Sequence, residues 1–226
     1  MDDTNWCKDK EILEELRLFS DTVPMDMFEW LKSKVFDIRK KNVDARPNLA
    51  GHLQEEYFIL APLSKPNFDT ENYINNWKQF EDYITRGCLS SPLDYMWKKQ
   101  VILTENRNLC VTSCWINFQK KHEFNPPHIH TGIYSFIIFL NIPYDLQQEK
   151  KVFPSLKNSQ TSNLFFQYQV PLFIDRSGIT QTYLQVDKSY EGKIIIFPAN
   201  LSHGVLPFYT SDDYRITISG NVIFEV

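Results

Sequence analysis

Three histidines and one arginine are the residues of this chain whose types and spacing could do chemistry. His128 and His130 lie two residues apart, so in an extended strand their side chains project from the same face. His203 lies far downstream, and Arg215 follows it at the start of a strand-like segment. Neutral imidazole is a common ligand of first-row metal ions, and three imidazoles leave coordination positions open. The pattern predicts a metal site with an anion-binding guanidinium beside it.

The other two histidines have a simpler interpretation. A lone histidine in a polar segment is more often a surface residue than a metal ligand, and His52 and His122 are predicted to be of that kind. The His-x-His pair alone is also weak evidence. It becomes specific when His203 and Arg215 are added to it.

The last strand-like segment has one apolar and one polar face. Its apolar residues alternate with polar ones, the polar set being Arg215, Thr217, Ser219 and Asn221. A wholly polar face is either solvated or lines a ligand cavity, in which a few polar groups fix the orientation of the ligand. The histidines favour the cavity.

Composition excludes several classes of protein. The chain has 226 residues, 42% of them hydrophobic, and a net charge of −4, so bulk charge does not indicate a nucleic-acid partner. The acidic N-terminus lacks a secretory signal, and no segment is apolar enough to span a membrane. The scattered cysteines are predicted to be reduced thiols, which places the chain in a cytoplasm. The sequence does not indicate an oligomeric state.

The residue pattern changes near residue 98, from helical periodicity to strand-like segments. Residues 1–98 are predicted to form a helical support region, and 99–226 a β-rich core, in one integrated domain. Helical periodicity occurs at Ile12–Phe19, Met27–Ile38 and Tyr73–Ile84, the last with Thr70 as N-cap. Strands are predicted at Leu109–Phe118, Tyr134–Asn141, Leu164–Val170, Thr180–Val186, Lys193–Phe197 and Tyr214–Phe224. The expected fold class is mainly β with N-terminal helices, an antiparallel barrel or sandwich.

Several of these segments together resemble a known family. The resemblance lies in Trp115-Ile116-Asn117, Glu123-Phe124-Asn125-Pro126-Pro127-His128-Ile129-His130, Ser135–Leu140, Gly192–Pro198, His203-Gly204-Val205 and Arg215–Ser219, with Asn48–Leu53 a weaker upstream part. These segments are similar to iron(II)/2-oxoglutarate-dependent oxygenases, most closely to members from tailed bacteriophages. The resemblance implies a double-stranded β-helix (a jelly-roll or cupin-like barrel), Fe(II), 2-oxoglutarate as cosubstrate, and O2. It also implies a location in the host cytoplasm if a phage encodes the chain.

The resemblance assigns roles to individual residues. His128 and His203 match the first and the distal metal-binding histidines of the family motif. Arg215 matches the residue that binds the 5-carboxylate of 2-oxoglutarate, through the two parallel hydrogen bonds that a guanidinium can donate. Thr217 matches the hydroxyl often found two residues later, and Asn117 is a weaker candidate for contacting the cosubstrate or substrate.

The chain departs from the family at His130, where a carboxylate is usual. We expect His130 to be the third ligand. The site would then be uncharged and would retain iron weakly without the dianionic cosubstrate. Alternatively, a carboxylate from elsewhere, Asp145 or Glu123, completes the site and His130 lies in an outer layer of contacts.

Two other functions remain open at the level of sequence. A cupin-type metalloprotein that does not use 2-oxoglutarate, such as a three-histidine dioxygenase or an isomerase, would also explain the histidines. So would a barrel with a structural metal site and no catalysis. For the oxygenase, hydroxylation of a prolyl or other amino-acyl side chain is one substrate class, and the substrate could be a peptide or a small molecule. Loop 142–163, in which Asn158–Asn163 is predicted to be exposed, is either a solvated loop or a lid.

Overall fold

A computed structural model describes residues 4–16, 18–62, 71–89, 108–156, 160–170 and 178–225. The helices are α1 Asn5–Glu15, α2 Met25–Lys41, α3 Glu71–Asp82 and the short α4 Leu146–Glu149. The strands are β1 Phe19–Thr22, β2 Glu56–Leu60, β3 Leu109–Gln119, β4 Asn125–His128, β5 Tyr134–Asn141, β6 Leu164–Val170, β7 Gly178–Leu184, β8 Lys193–Pro198, β9 Ser202–Val205 and β10 Arg215–Phe224. Short 3-10 turns lie at Arg46–Asn48 and Lys188–Tyr190.

The strands form two antiparallel sheets. The larger sheet has the order β1-β8-β5-β10-β3-β2, and the smaller has the order β4-β9-β6-β7. All neighbouring strands within each sheet run antiparallel. The fold is therefore mainly β with helices, as the sequence predicts.

Helices α2 and α3 cover one face of the larger sheet. In α2 the side chains of Phe28, Leu31, Val35 and Ile38 recur at helical spacing and are buried. They join a cluster with alternate residues of β5 and β10, such as Ile138 and Ile218. The helix ends at Asn42, which adopts the left-handed conformation that often closes a helix.

The other face of the larger sheet packs against the smaller sheet. Ile137 and Phe139, which alternate with the helix-facing residues of β5, share a second cluster with Leu164 and Phe166 of β6. The rings of Phe166 and Phe197 meet edge to face at 5.2 Å between centroids. The functional site lies between the two sheets.

Most predicted strands are confirmed within one or two residues, but four were missed. β1, β2, β4 and β9 have only four or five residues each, too few to show a clear alternation. Two of them, β1 and β2, belong to the N-terminal part and pair with β8 and β3. The division near residue 98 stays a prediction, since residues 90–107 lie outside the described ranges.

The predicted helix at Ile12–Phe19 is wrong at its C-terminal end. Helix α1 ends at Glu15, and Phe19 begins β1, where it pairs with Ile196 of β8. The segment at this end pairs with the edge of the larger sheet instead of continuing the helix that the apolar spacing predicts. Helix α3 continues beyond Asp82 as a π-helical turn, Tyr83–Cys88, and the predicted N-cap Thr70 lies outside the described residues.

None of the helices within the described residues is long and apolar enough to cross a membrane.

Candidate metal centre

His128 and His203 are directly opposite each other on paired strands. His128 is the last residue of β4, and its register partner in β9 is His203. Residues directly opposite in an antiparallel pair project to the same face, so both rings point between the sheets. Their ring centroids are 4.4 Å apart.

His130 joins them from just beyond the end of β4. Its backbone N–H donates to the carbonyl of Ala199 (2.8 Å), in the turn that connects β8 with β9. Its ring lies 4.8 Å from that of His128 and 5.0 Å from that of His203, between centroids. One ligand atom from each of the three side chains lies within 4.8 Å of the others. The structure thus brings the three sequence-predicted ligands together.

Backbone carbonyls fix the tautomers of two of the rings. His128 Nδ1 lies 2.7 Å from the carbonyl oxygen of Pro126, and His203 Nδ1 lies 2.9 Å from that of Leu201. Because a carbonyl can only accept, each Nδ1 carries the proton and Nε2 keeps its lone pair. This is the arrangement that orients a metal-binding histidine.

Burial keeps the three imidazoles neutral. It lowers the pKa of His128, and it lowers that of His130 to about 4 with a further contribution from His128. Burial also holds the pKa of His203 well below its ordinary value. Neutral rings at physiological pH are the form that binds a metal ion.

No carboxylate of the described residues belongs to this cluster. The alternative that Asp145 completes the site is wrong, because Asp145 is exposed and its side chain accepts from the N–H of Gln148 at the start of α4. Glu123 is also ruled out, since its two oxygens accept from the backbone N–H groups of Gln54 and Lys120. His52 and His122 are exposed, as predicted.

The polar face of β10 lines the same cavity as the histidines. Arg215, Thr217 and Ser219 are lining residues, whereas Ile216 and Ile218 pack toward the helices. The cavity interpretation is therefore confirmed for three of the four polar residues, whereas Asn221 is not among the lining residues and bonds with Ser135 and Ser113 instead. Apolar side chains, among them Ile137 and Phe197, make up much of the remaining wall.

Arg215 is buried, with 2% of its surface exposed, and all five of its N–H groups are engaged. Nε and Nη2 donate to the same oxygen, Gln119 Oε1, at 3.0 and 2.7 Å. Nη1 donates to Tyr144 Oη (3.0 Å) and to the Ser162 carbonyl (2.7 Å). Nη2 also donates to the Leu206 carbonyl at 2.9 Å.

Every one of these partners is electrically neutral. Among the described residues no carboxylate lies within ion-pair distance of Arg215. A buried cation without a counterion costs desolvation free energy. The guanidinium therefore gives the cavity a local positive charge that an anionic ligand would neutralise.

Thr217 and Asn117 lie side by side in the cavity wall. They are register partners on β10 and β3, and Asn117 Nδ2 donates to Thr217 Oγ1 (3.0 Å) and to Ser219 Oγ (3.2 Å). The oxygen of the Asn117 amide is buried without a partner. Both side chains are thus placed beside Arg215, as the sequence predicts.

Segment 142–163 is held against the rest of the protein by buried hydrogen bonds. The carboxylate of Glu149 is fully buried and accepts from the backbone N–H of Thr210 at 2.7 Å, and the Ser162 carbonyl binds Arg215. The prediction that Asn158–Asn163 is exposed is wrong for its last three residues, which are buried. Residues 157–159 lie outside the described ranges.

The sequence reasoning missed Glu56. It is 1% exposed, lines the cavity, and is the register partner of Asn117 across β2 and β3. Burial, with smaller contributions from Asp44 and Glu123, raises the pKa of Glu56 to about 7. The available signal was weak: Glu56 occupies the same strand face as the buried Phe58, two residues later.

Comparisons with known proteins agree with this site. Residues 113–221, which include the three histidines and Arg215, match a family model described as "Putative 2OG-Fe(II) oxygenase". No curated protein sequence matches the chain.

Similar solved structures include one that shares the fold. The crystal structure of a Pseudomonas putida prolyl-4-hydroxylase is similar with a TM-score of 0.52 and 11% identity, over 95% of each chain. An oxidoreductase of the 2OG-Fe(II) oxygenase family from Burkholderia pseudomallei has a TM-score of 0.48 and 10% identity, over 97% of this chain and 89% of that one. At 11% identity the first similarity concerns the fold alone. The chain is thus similar to the 2OG-Fe(II) oxygenase family in sequence over residues 113–221, and to a prolyl-4-hydroxylase in fold.

Proposed function

We propose that this chain is an Fe(II)/2-oxoglutarate-dependent oxygenase that hydroxylates a substrate. One observation carries the proposal: three imidazoles converge on a cavity that also contains a buried arginine, and among the described residues no carboxylate forms an ion pair with it. A metal centre and an anionic co-ligand fit this pairing. The two antiparallel sheets that enclose the cavity support the assignment of a double-stranded β-helix.

The donor set fits a divalent metal ion of the first transition row. His128, His130 and His203 would hold it, two of them through Nε2 atoms whose partner nitrogens are fixed by carbonyls. The described residues offer no fourth ligand in the cluster, whereas a structural zinc site normally has four. An open site suits catalysis.

When bound, iron(II) with 2-oxoglutarate and O2 supplies the oxidative decarboxylation to succinate and the hydroxylation of a substrate C–H bond. The protein contributes the positions of the ligands and the environment. Trp115 packs edge-on against the ring of His130 (5.5 Å), and Phe197 does so against His203 (4.5 Å). These contacts fix the rings and exclude water from one side of the site.

Arg215 would bind the 5-carboxylate of the cosubstrate, with Thr217 beside it. Gln119 Oε1 now accepts from both Nε and Nη2, which is the edge that a carboxylate takes in a bidentate pair. The carboxylate would therefore replace Gln119 at this edge. Because an ionised acceptor forms the stronger bond, the exchange is favourable.

The finer features of the proposal rest on the family resemblance. The substrate would be a prolyl or other amino-acyl side chain, of a peptide or a small molecule. A phage origin and a cytoplasmic location belong to the same set of expectations.

An anaerobic titration tests the function. Fe(II) and 2-oxoglutarate added together should give the visible charge-transfer band of their chelate, and succinate should form once oxygen is admitted. Arg215→Lys and Thr217→Val should each weaken 2-oxoglutarate binding at least tenfold. A band of unchanged affinity in both variants would contradict the cosubstrate assignment.

The second candidate is a cupin-type metalloprotein that does not use 2-oxoglutarate. The saturation of all five Arg215 N–H groups by the protein favours it, because a purely structural arginine would look the same. A metal affinity that does not change when 2-oxoglutarate is added, together with no formation of succinate, would favour this alternative over the first.

A further inference from the structure

The carboxyl group of Glu56 has no hydrogen-bond partner among the described residues. Its Oε2 is buried and unpaired, and the side chain is 1% exposed. A buried carboxylate without a donor or cation carries a large desolvation cost. Native proteins satisfy nearly all such atoms, so this exception needs an explanation.

Glu56 is one of three unpaired oxygens in the same cavity wall. Five buried side-chain atoms of the described residues lack a partner, and three of them line this cavity: Glu56 Oε2, Asn117 Oδ1 and Asn125 Oδ1. All three are acceptors. We call these three residues the acceptor wall.

Gly51 packs closely against the acceptor wall, where a larger residue has no room for its side chain. A Cβ at Gly51 would collide with Asn125 Oδ1 and lie 2.9 Å from Glu56 Oε1. Gly51 itself lines the cavity together with its neighbours Leu49 and Ala50. A side chain at this position would displace these two oxygens, which lie together at one corner of the cavity.

The electrostatic surroundings of this corner are negative. Asp44 and Glu123 act on Glu56 as like charges, and Arg46 is the opposing one. The guanidinium of Arg46 is itself held by Asp44 (2.8 and 2.9 Å) and by the Gln54 carbonyl (2.8 Å). No described cation forms an ion pair with Glu56.

The corner is separate from the anion-binding end of the cavity. Strand β3 lies between β2, which carries Glu56, and β10, which carries Arg215. Two strand spacings amount to roughly 10 Å. An anion at Arg215 therefore lies about two strands away from the strand that carries Glu56.

We propose that the acceptor wall binds a positively charged nitrogen of the substrate, an ammonium or guanidinium group on an aliphatic chain. The proposal deepens the oxygenase function and rests on it, since the substrate is what the metal centre would oxidise. Such a group supplies the N–H donors that the three oxygens lack and the charge that Glu56 lacks. A prolyl residue inside a peptide has neither an N–H nor a charge and would leave the wall unpaired.

Equilibrium binding tests the proposal without turnover. The full chain loaded with Fe(II) under anaerobic conditions is titrated, by calorimetry or ligand-observed NMR, with n-butylammonium, n-butylguanidinium and the neutral n-pentanol. At least one of the two cations should bind tenfold or more tightly than pentanol. Cations that bind no better than pentanol would overturn the proposal, whatever the fate of the variants.

Variants locate the binding at the acceptor wall. Glu56→Gln should weaken the cation at least tenfold and leave pentanol unchanged, while Glu29→Gln, on the exposed face of α2, should change neither. Gly51→Ala displaces the two oxygens at this corner and should weaken binding of the cation by a similar factor. Unchanged cation affinity in a folded Glu56→Gln or Gly51→Ala protein would refute the assignment.

The two proposals fail separately. Binding of the cation through Glu56 without succinate formation would support the acceptor wall and refute the oxygenase function. Turnover of 2-oxoglutarate without binding of the cations would support the oxygenase function and refute cation binding at the acceptor wall.

Discussion

Replacement of Glu56 by glutamine should stabilise the protein above neutral pH. The carboxyl is almost completely buried, makes no hydrogen bond with the described residues, and has its pKa raised from 4.5 to about 7 by burial and by Asp44 and Glu123. A neutral amide of the same shape avoids this cost. Its NH2 group can also donate to the unpaired oxygens of Asn117 and Asn125.

The size and sign of the effect follow from linkage. The folded state holds the Glu56 proton more tightly than the unfolded state, so ionisation costs the folded state free energy as pH rises. Each pKa unit corresponds to about 1.4 kcal/mol, so the shift amounts to about 3 kcal/mol. The wild-type protein should lose this relative to the variant between pH 4.5 and 7. Below that window both side chains are neutral, and above it the difference is constant.

Urea unfolding of both proteins with a chelator present, at half-unit steps from pH 4 to 8.5, measures this directly. Other titrating groups occur in both proteins and cancel in the difference of the two free energies of unfolding. The difference should rise by up to about 1.4 kcal/mol per pH unit and level off near pH 7. A difference that stays flat across the window would refute the account of a buried, unpaired carboxyl.

Three further predictions concern the metal centre and the sheet. His203→Ala should weaken Fe(II) binding by more than ~100-fold in an anaerobic titration, whereas His122→Ala, at an exposed histidine, should not change it; equal loss in both would exclude the site. His130→Asp should raise Fe(II) affinity in the absence of 2-oxoglutarate, because a carboxylate neutralises part of the metal charge; weaker binding would show that the third imidazole is required. Gly220→Ala should lower the free energy of unfolding by about 1–3 kcal/mol, since a Cβ there would lie 2.7 Å from the Ser113 carbonyl and 2.5 Å from the Phe136 ring, and an unchanged urea midpoint would contradict this packing.

The sequence predicts the long strands and the polar face of β10 well. Apolar and polar residues alternate over the ten residues of β10, which predicts that one face is packed and the other is polar. Ile218 packs toward the helices and Thr217 lines the cavity, as that pattern indicates. The three ligands were also predictable, because their residue type limits the possible chemistry. Their mutual placement depends on the register of β4 with β9, two four-residue strands that no periodicity reveals.

Glu56 and the partners of Arg215 could not be predicted from the sequence. Glu56 lies in a segment compatible with helix or strand, and only its pairing with Asn117, distant in sequence, places it in the cavity. The acceptors around Arg215 come from three separate parts of the chain, including two backbone carbonyls. Any residue can supply a backbone carbonyl, so residue types do not reveal such acceptors. The sequence therefore predicts that Arg215 is in the cavity without predicting the groups around it.

The cavity contains two ionisable side chains, Arg215 and Glu56, that have no counterion among the described residues, and they do not neutralise each other. Arg215 lacks an anion and Glu56 lacks a cation, although one sheet carries both. Strand β3 lies between the strands that carry them, a separation of roughly 10 Å between strands, and no ion pair joins the two side chains. Each costs desolvation free energy in the unliganded protein, and a ligand of opposite charge at each end recovers it. A cavity with a positive charge at one end and a negative charge at the other is thus suited to two ligands of opposite charge, which fits the proposed anionic cosubstrate and cationic substrate.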